Sequence, residues 1–118
     1  MAHMTQPAPT LSAILITRNE AHNLHDCLQS MRGLVDEIIV VDSQSTDATL
    51  AIAQQYGAKV AQPADWPGFG PQKNRALDLA TCDWVFSIDA DERLTPELAE
   101  EIKQVLQTST SDVAYKLP

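Results

Sequence analysis

Two aspartates separated by one residue, Asp89 and Asp91, form the most chemically specific pattern in the chain. They follow the apolar run 83–88, which predicts a strand, so both carboxylates are expected at the edge of a sheet. Hard cations such as Mg²⁺ and Mn²⁺ prefer oxygen ligands and often share them with phosphate groups. The pair therefore indicates a metal site that would neutralise charge on a departing diphosphate. A solvated acidic turn is the alternative, since this pattern alone is common.

A further carboxylate, Asp42, ends the β-branched run 37–41. Here it could accept hydrogen bonds from the N–H of a base or from ribose hydroxyls. The residues that follow it, 43–47, are rich in helix-capping types, and Ser45 or Thr46 is expected to cap the next helix. We therefore predict a functional role for Asp42 and mainly structural roles for Ser45 and Thr46.

The segment Gln72–Arg75 opens a predicted helix after a loop rich in glycine and proline. The N-terminus of a helix favours anions, and Lys73 or Arg75 would add positive charge there. The segment thus predicts an anion-binding position, with an ordinary exposed helix start as the alternative.

Strands and helices alternate along the chain, and this order decides where the polar groups lie. Apolar runs predict strands over 11–16, 37–41, 59–61 and 83–88, and a further strand beginning within 112–117. Apolar residues at helical spacing, together with helix start and stop signals, predict helices over 24–31, 48–56, 74–80 and 98–106. Gly33 and Gly57 are placed to end the first two helices, Pro71 suits a first helical position, and Thr95 precedes Pro96 as an N-cap.

This alternation predicts an α/β fold, a Rossmann-like three-layer sandwich with a mostly parallel sheet and helices on both faces. Ligands of such sheets bind at the carboxyl ends of the strands. The polar segments 17–20, 42–47 and 89–91 all follow predicted strands and should therefore converge on one edge.

Composition narrows the class of protein. The 118 residues make one domain, and a hydrophobic share of 44% argues against disorder. A net charge of −8 with only eight Lys and Arg argues against nucleic-acid binding, which needs clustered basic side chains. Cys27 and Cys82 lie in apolar runs and are expected to be buried, reduced thiols. With no run of transmembrane length and no visible signal peptide, we expect a cytoplasmic protein.

Several competing fingerprints are absent from the sequence. It contains no G-x-G-x-x-G after the first strand, no phosphate-binding G-x-x-x-x-G-K-[ST] loop and no G-x-S-x-G elbow. Because no glycine-rich loop follows Ile16, the sequence argues against a dinucleotide site and against a nucleotidyltransferase. A receiver-type signalling domain would need an acidic pair after the first strand, where Arg18 and Asn19 stand instead.

Four motifs in order resemble the family 2 inverting glycosyltransferases of GT-A fold. They are Leu-Ile-Thr-Arg-Asn-Glu at 15–20, Ile-Ile-Val-Val-Asp-Ser-x-Ser-Thr-Asp at 38–47, Gln-Lys-Asn-Arg-Ala at 72–76 and Ile-Asp-Ala-Asp-Glu at 88–92. The resemblance covers residues 11 to about 102. This subtype is similar to bacterial lipopolysaccharide core glucosyltransferases and related envelope enzymes.

The resemblance implies a role for each motif. Asp42 would contact the base or ribose, most often of uridine, while Asp89 would lie near the ribose and the metal. Asp91 would bind the Mg²⁺ or Mn²⁺ that holds the diphosphate of a UDP-sugar. The remaining motif residues would border or flank the nucleotide: Thr17, Arg18, Asn19, Glu20, Ser43, Lys73 and Asn74.

The resemblance also implies what lies elsewhere. The family's general base and acceptor site come well after the Asp-x-Asp motif, beyond Pro118. We therefore expect 11–118 to be the nucleotide-sugar-binding half of a GT-A domain, inefficient in transfer alone and able to self-associate. Residues 1–10 are expected to be a tag remnant and flexible tail for a separate reason, since two methionines bracket Ala2 and His3 and the stretch 5–10 is polar and rich in proline. The full-length protein would transfer a hexose to an envelope glycan or glycolipid, with a peripheral place at the inner face of the cytoplasmic membrane. A non-catalytic nucleotide-sugar-binding module is the main alternative, with a nucleotidyltransferase as a second.

Overall fold

The computed structural model describes residues 9–108, with four strands and four helices in strict alternation. The strands are β1 (Leu11–Thr17), β2 (Glu37–Asp42), β3 (Lys59–Ala61) and β4 (Trp84–Ser87). The helices are α1 (Ala21–Ser30), α2 (Thr49–Gln55), α3 (Phe69–Leu79) and α4 (Pro96–Thr108). None of these helices is long and apolar enough to cross a membrane.

The strands form one parallel sheet in the order β3-β2-β1-β4. The register places Thr17 at the end of β1 beside Asp42 at the end of β2. On its other side β1 pairs with β4, with Ile14 beside Ser87. The chain moves outward from β1 to β3 and then returns past β1 to form β4. Such a change of direction opens a crevice at the carboxyl ends of the strands.

Alternate residues of each strand pack on opposite faces of the sheet, as the strand period of two requires. On one face, Leu15 and Phe86 join the larger core with residues of α1, α2 and α4. On the other face, Ile14 and Val41 pack with Ala76 of α3. The predicted three-layer α/β sandwich with a parallel sheet is thus confirmed, with three helices on one face and one on the other.

Several helix boundaries agree with the sequence signals. Gly33 and Gly57 follow α1 and α2 with φ of 84° and 74°, a left-handed conformation that favours glycine. Thr95 caps α4, since its Oγ1 accepts a hydrogen bond from the Leu98 N–H at 3.1 Å.

Other expectations need correction. Helix α3 begins at Phe69, so Pro71 lies in its third position, not its first. At α2 the N-cap residue is Ala48, which has no polar side chain to cap the helix. The Thr49 N–H instead donates to Oδ1 of Asp47 at 2.9 Å, and neither Ser45 nor Thr46 caps the helix. Both signals misled because several capping or breaking residues stand side by side, and tertiary contacts decide which of them is used.

The cysteines and the chain ends differ in part from expectation. Cys27 is buried as predicted, whereas Cys82 is only half-buried. Thr10, assigned to the tail, is held to Asp83, which accepts from its N–H at 2.9 Å. The predicted strand within 112–117 and most of the predicted tail lie outside the described residues.

Candidate functional site

A cleft with two compartments lies at the carboxyl edge of the sheet. Ile16, Glu20 and Phe69 line both compartments, so the two lie side by side. The first, which we call the β1–β2 compartment, has a volume of about 280 Å³ and is completed by Thr17, Arg18, Ser43 and Trp66. The second, the acidic compartment, has a volume of about 360 Å³ and is completed by Lys73, Asp89, Ala90 and Asp91.

A tight turn after β4 presents the two aspartates of the acidic compartment. The Asp89 N–H donates to Glu92 Oε1 and the Glu92 N–H donates to the Asp89 carbonyl, both at 2.9 Å. Ala90 between the aspartates is buried, while Asp89 and Asp91 are exposed. Because the backbone and Glu92 hold the turn, both carboxylates are left available for a ligand.

The donor set of the acidic compartment fits a shared cation better than a closed metal site. Within residues 9–108 no three His, Cys, Asp or Glu side chains come together to hold a metal. Mg²⁺ commonly takes one or two carboxylates from the protein and completes its shell with substrate phosphates and water. Two exposed carboxylates with Lys73 beside them suit a cation that binds together with a phosphate group.

Asp42 is fully buried beneath the β1–β2 compartment and does not line it. Its carboxylate accepts from Thr17 Oγ1 at 2.7 Å and from the Ser45 hydroxyl and N–H at 2.6 and 2.8 Å. A fourth bond comes from Gln62 Nε2 at 3.2 Å. The carboxylate therefore joins the ends of β1, β2 and β3, and a nucleotide could reach it only by displacing one of these donors.

In the loop after β1, some residues line the cleft and another holds a neighbouring loop. Thr17, Arg18 and Glu20 line the cleft, whereas Asn19 does not. The Asn19 backbone has φ of 52°, and its side-chain Oδ1 accepts from the Thr46 N–H at 2.8 Å. Asn19 thus joins the loop after β1 to the loop after β2.

A chain of side chains connects the loop after β2 with the loop before α3. Buried Gln72 donates from Nε2 to Ser43 Oγ at 3.2 Å and accepts from Arg75 Nη1 at 3.0 Å. Arg75 also donates to Asp65 Oδ2 at 2.7 Å, and this bond lowers the pKa of Asp65. Of the predicted anion-binding segment, Arg75 is therefore engaged with Asp65, and only Lys73 lines the cleft.

The cleft also contains two aromatic residues that the sequence analysis missed. Trp66 and Phe69 are 50% and 72% exposed, and their rings meet edge to face with centroids 5.0 Å apart. They lie in a glycine- and proline-rich stretch without periodicity, which reads as an ordinary loop. The presence of two aromatic residues in so short a loop was the sequence feature that could have indicated their place in the site. Asn74, by contrast, is exposed but does not line the cleft.

Solved structures share this arrangement of strands and helices. Glucosyl-3-phosphoglycerate synthase of Mycobacterium tuberculosis, in complex with Mn²⁺, UDP and glucosyl-3-phosphoglycerate, matches 85% of the chain at 31% identity with a TM-score of 0.66. The match covers 40% of that enzyme. Mannosyl-3-phosphoglycerate synthase of Rubrobacter xylanophilus matches 85% of the chain and 36% of its own at 32% identity, with a TM-score of 0.70.

Curated sequences agree with the structures. A glycosyltransferase of Rickettsia felis, described as uncharacterized, is 45% identical over 109 residues, which are 91% of this chain and 38% of that protein. The lipopolysaccharide core biosynthesis glycosyltransferase LpsC of Rhizobium meliloti is 37% identical over 115 residues, 94% of this chain and 42% of that protein. The chain thus spans less than half the length of these relatives. The model of glycosyl transferase family 2 matches residues 12–116, which confirms the resemblance found in the four motifs, and the chain belongs to that family.

Proposed function

We propose that this chain binds a nucleotide-sugar donor, a UDP-sugar, together with Mg²⁺ or Mn²⁺. The longer protein would transfer a hexose from it, with inversion, to a glycan or glycolipid of the cell envelope such as the lipopolysaccharide core. The observation that carries this proposal is the adjacency of the two compartments. The acidic compartment, with two exposed carboxylates and Lys73, shares Ile16, Glu20 and Phe69 with the compartment at the ends of β1 and β2.

The acidic compartment would hold the diphosphate. Asp91 and Asp89 would bind the cation, and Lys73 would place a further positive charge beside the phosphate oxygens. When bound, the cation neutralises charge that develops on the departing nucleoside diphosphate. The turn fixed by Glu92 keeps the two carboxylates in place before the ligand arrives, so less ordering is required on binding.

The β1–β2 compartment would hold the nucleoside. Thr17, Arg18, Glu20 and Ser43 stand around it, and they offer hydroxyl, guanidinium and carboxylate groups to a base and ribose. Asp42 lies one layer below, and it would reach the nucleotide only through an exchange of hydrogen-bond partners. Asn19 and Asn74 are predicted contacts that this arrangement leaves outside the lining.

The similar proteins support a nucleotide-sugar donor and a divalent metal. The Mycobacterium tuberculosis enzyme has been solved with UDP and Mn²⁺, and a mannosyltransferase of Pyrobaculum calidifontis with GDP-mannose and Mn²⁺. The relative LpsC acts in lipopolysaccharide core biosynthesis. We extend these properties to the present chain because its acidic compartment offers the oxygen ligands that such a cation needs.

Transfer itself requires a base that removes the proton of the acceptor hydroxyl as it attacks the anomeric carbon. In the cleft, Asp89 and Asp91 would be committed to the metal. Glu20, the other carboxylate of the cleft lining, is proposed to border the nucleoside. We therefore propose that the general base belongs to the longer protein, beyond Pro118, and expect residues 11–118 to bind donor without efficient transfer. The same reasoning leaves acceptor binding, and any place at the membrane surface, to the longer protein.

Titration calorimetry of the chain with UDP tests the proposal. We expect binding in the presence of Mn²⁺ and a large loss of affinity in excess EDTA, because the cation joins the carboxylates to the diphosphate. NAD serves as the control ligand, since it carries a diphosphate but lacks uridine. Equal UDP affinity with and without the metal, or tighter binding of NAD than of UDP, would overturn the proposal.

A further inference from the structure

We infer that Trp66 provides a stacking face for the base of the bound nucleotide and that Phe69, whose ring meets Trp66 edge to face at 88°, borders that face. This inference rests on the proposed function and adds a specificity-determining element to it. Trp66 lines the β1–β2 compartment, while Phe69 lines both compartments. The aromatic surface thus runs from the position proposed for the nucleoside to the position proposed for the diphosphate.

The exposure of these rings is the first argument. Half of Trp66 and nearly three quarters of Phe69 are open to water, although both lie against a cleft. Large aromatic side chains offer about 150–250 Å² each for burial, and removal of apolar surface from water is favourable. A flat ligand that covers a ring therefore gains from burial of the part that is still open to water.

The loop that carries Trp66 is tied down at several points, which is the second argument. Gln62 donates to Asp42 at 3.2 Å, Gln44 Nε2 donates to the Pro63 carbonyl at 3.4 Å, and Arg75 donates to Asp65 at 2.7 Å. The last of these bonds is adjacent in sequence to Trp66. The loop is consequently held in place before a ligand arrives, so stacking requires little ordering of its backbone.

The choice of a base over a sugar follows from the position of the rings. The proposed function puts the diphosphate at Asp89 and Asp91, in the acidic compartment. Ligands of open parallel sheets bind outside the carboxyl ends of the strands, and Trp66 lies there with Thr17 and Ser43. Planar bases stack on aromatic faces irrespective of their hydrogen-bonding edges, which makes the surface suitable for uracil.

Binding measurements on single variants test the inference. We expect Trp66→Leu to weaken the Mn²⁺-dependent binding of UDP by about tenfold or more, as loss of one base–aromatic stack does elsewhere. Phe69→Leu should have a smaller effect in the same direction. Leu79→Ala is the matched control, because Leu79 is a large hydrophobic residue of α3 that is 43% exposed outside the cleft lining. Its UDP affinity should equal that of the wild type.

Fluorescence gives an independent reading. The chain has two tryptophans, Trp66 and the buried Trp84, so Trp84→Phe leaves Trp66 as the only tryptophan reporter. Saturation of this variant with UDP and Mn²⁺ should quench its emission, whereas inorganic diphosphate with Mn²⁺ should leave it nearly unchanged. If Trp84→Phe does not fold, the affinities of the Trp66→Leu variant decide alone, because that exposed substitution leaves the core intact.

The outcomes separate the inference from the function on which it rests. Failure of the wild type to bind UDP would overturn the proposed function. UDP binding that is equal in wild type and Trp66→Leu would overturn only the stacking surface. If Trp66→Leu weakened binding of UDP-glucose but not of UDP, the rings would contact the sugar and the inference would be wrong.

Discussion

Replacement of Asp91 by Asn separates a metal ligand from a solvated turn. Asn keeps the shape of the side chain and one oxygen but loses the charge, which a hard cation favours most. In the acidic compartment Asp89 is the other carboxylate of the turn, and no three-ligand cluster exists among residues 9–108. The substitution thus removes one of two charged protein ligands. We expect Mn²⁺-dependent UDP affinity to fall about tenfold or more, about 1.4 kcal/mol.

The same substitution should barely affect the fold. Asp91 is exposed, and the hydrogen bonds that hold the turn come from Asp89 and Glu92. Exposed substitutions away from structural features change stability by about half a kcal/mol or less. For a domain of this size, that corresponds to a shift in Tm of about 2–4 °C.

The assay pairs a melting curve with a titration of UDP and Mn²⁺ on each variant. Asp78→Asn is the matched control, since Asp78 is an exposed carboxylate of α3 outside the cleft lining and its replacement removes the same charge. A well-folded Asp91→Asn variant with unchanged affinity would refute the assignment of Asp91 to the metal. A large fall in Tm accompanied by weaker binding would instead show a structural role.

Three further predictions concern the fold and its surface. Burial alone would raise the pKa of Glu37, but hydrogen bonds from Lys59, Thr81 and Ser12 outweigh it and lower that pKa from 4.5 to about 2. The contribution of ionised Glu37 to the free energy of unfolding should therefore be complete above pH 4.5 and lost as the pH falls towards 2. After allowance for the exposure of Lys59, Glu37→Gln should lower the free energy of unfolding, measured with urea, by about 1–2 kcal/mol at pH 7 and by little at pH 2. Burial raises the pKa of the Cys27 thiol to about 12, so maleimide at pH 7 should label native protein at Cys82 far faster than at Cys27; equal rates would contradict this. Exposed Phe69, Leu77 and Leu79 should promote self-association, seen as a sedimentation coefficient that rises with concentration; a strict monomer would refute it.

Much of the fold could be predicted because its signals are local and repeated. The unbroken apolar run of β2 indicated a buried central strand, and Ile39 to Val41 are indeed fully buried. Alternation of strands and helices predicted a parallel sheet, and the rule for such sheets placed the polar segments at one edge. The structure brings Thr17, Lys73, Asp89 and Asp91 into one cleft there.

What the sequence could not decide was which polar groups face a ligand and which face each other. Arg75 was an anion-binding candidate because it lies at a helix start, yet its guanidinium forms an ion pair with Asp65 on the preceding loop. Asn19 belonged to a motif expected at the nucleotide, yet it holds Thr46 of the next loop. Such pairings join residues 10 to 27 positions apart, and neither periodicity nor capping rules reach across that separation.

Replacement of Asp42 by Asn tests whether its carboxylate holds the fold together or contacts a nucleotide. Four donors surround its carboxylate, from Thr17, Ser45 and Gln62. An Asn side chain would turn an N–H₂ group towards some of them, and buried hydrogen bonds to a charged group contribute about 1.5–3 kcal/mol each. Since hydroxyls can rotate to accept, we expect Asp42→Asn to cost about 2 kcal/mol in urea unfolding, with weaker UDP binding as a consequence. Unchanged stability with lost UDP affinity would contradict this and would place the carboxylate on the nucleotide.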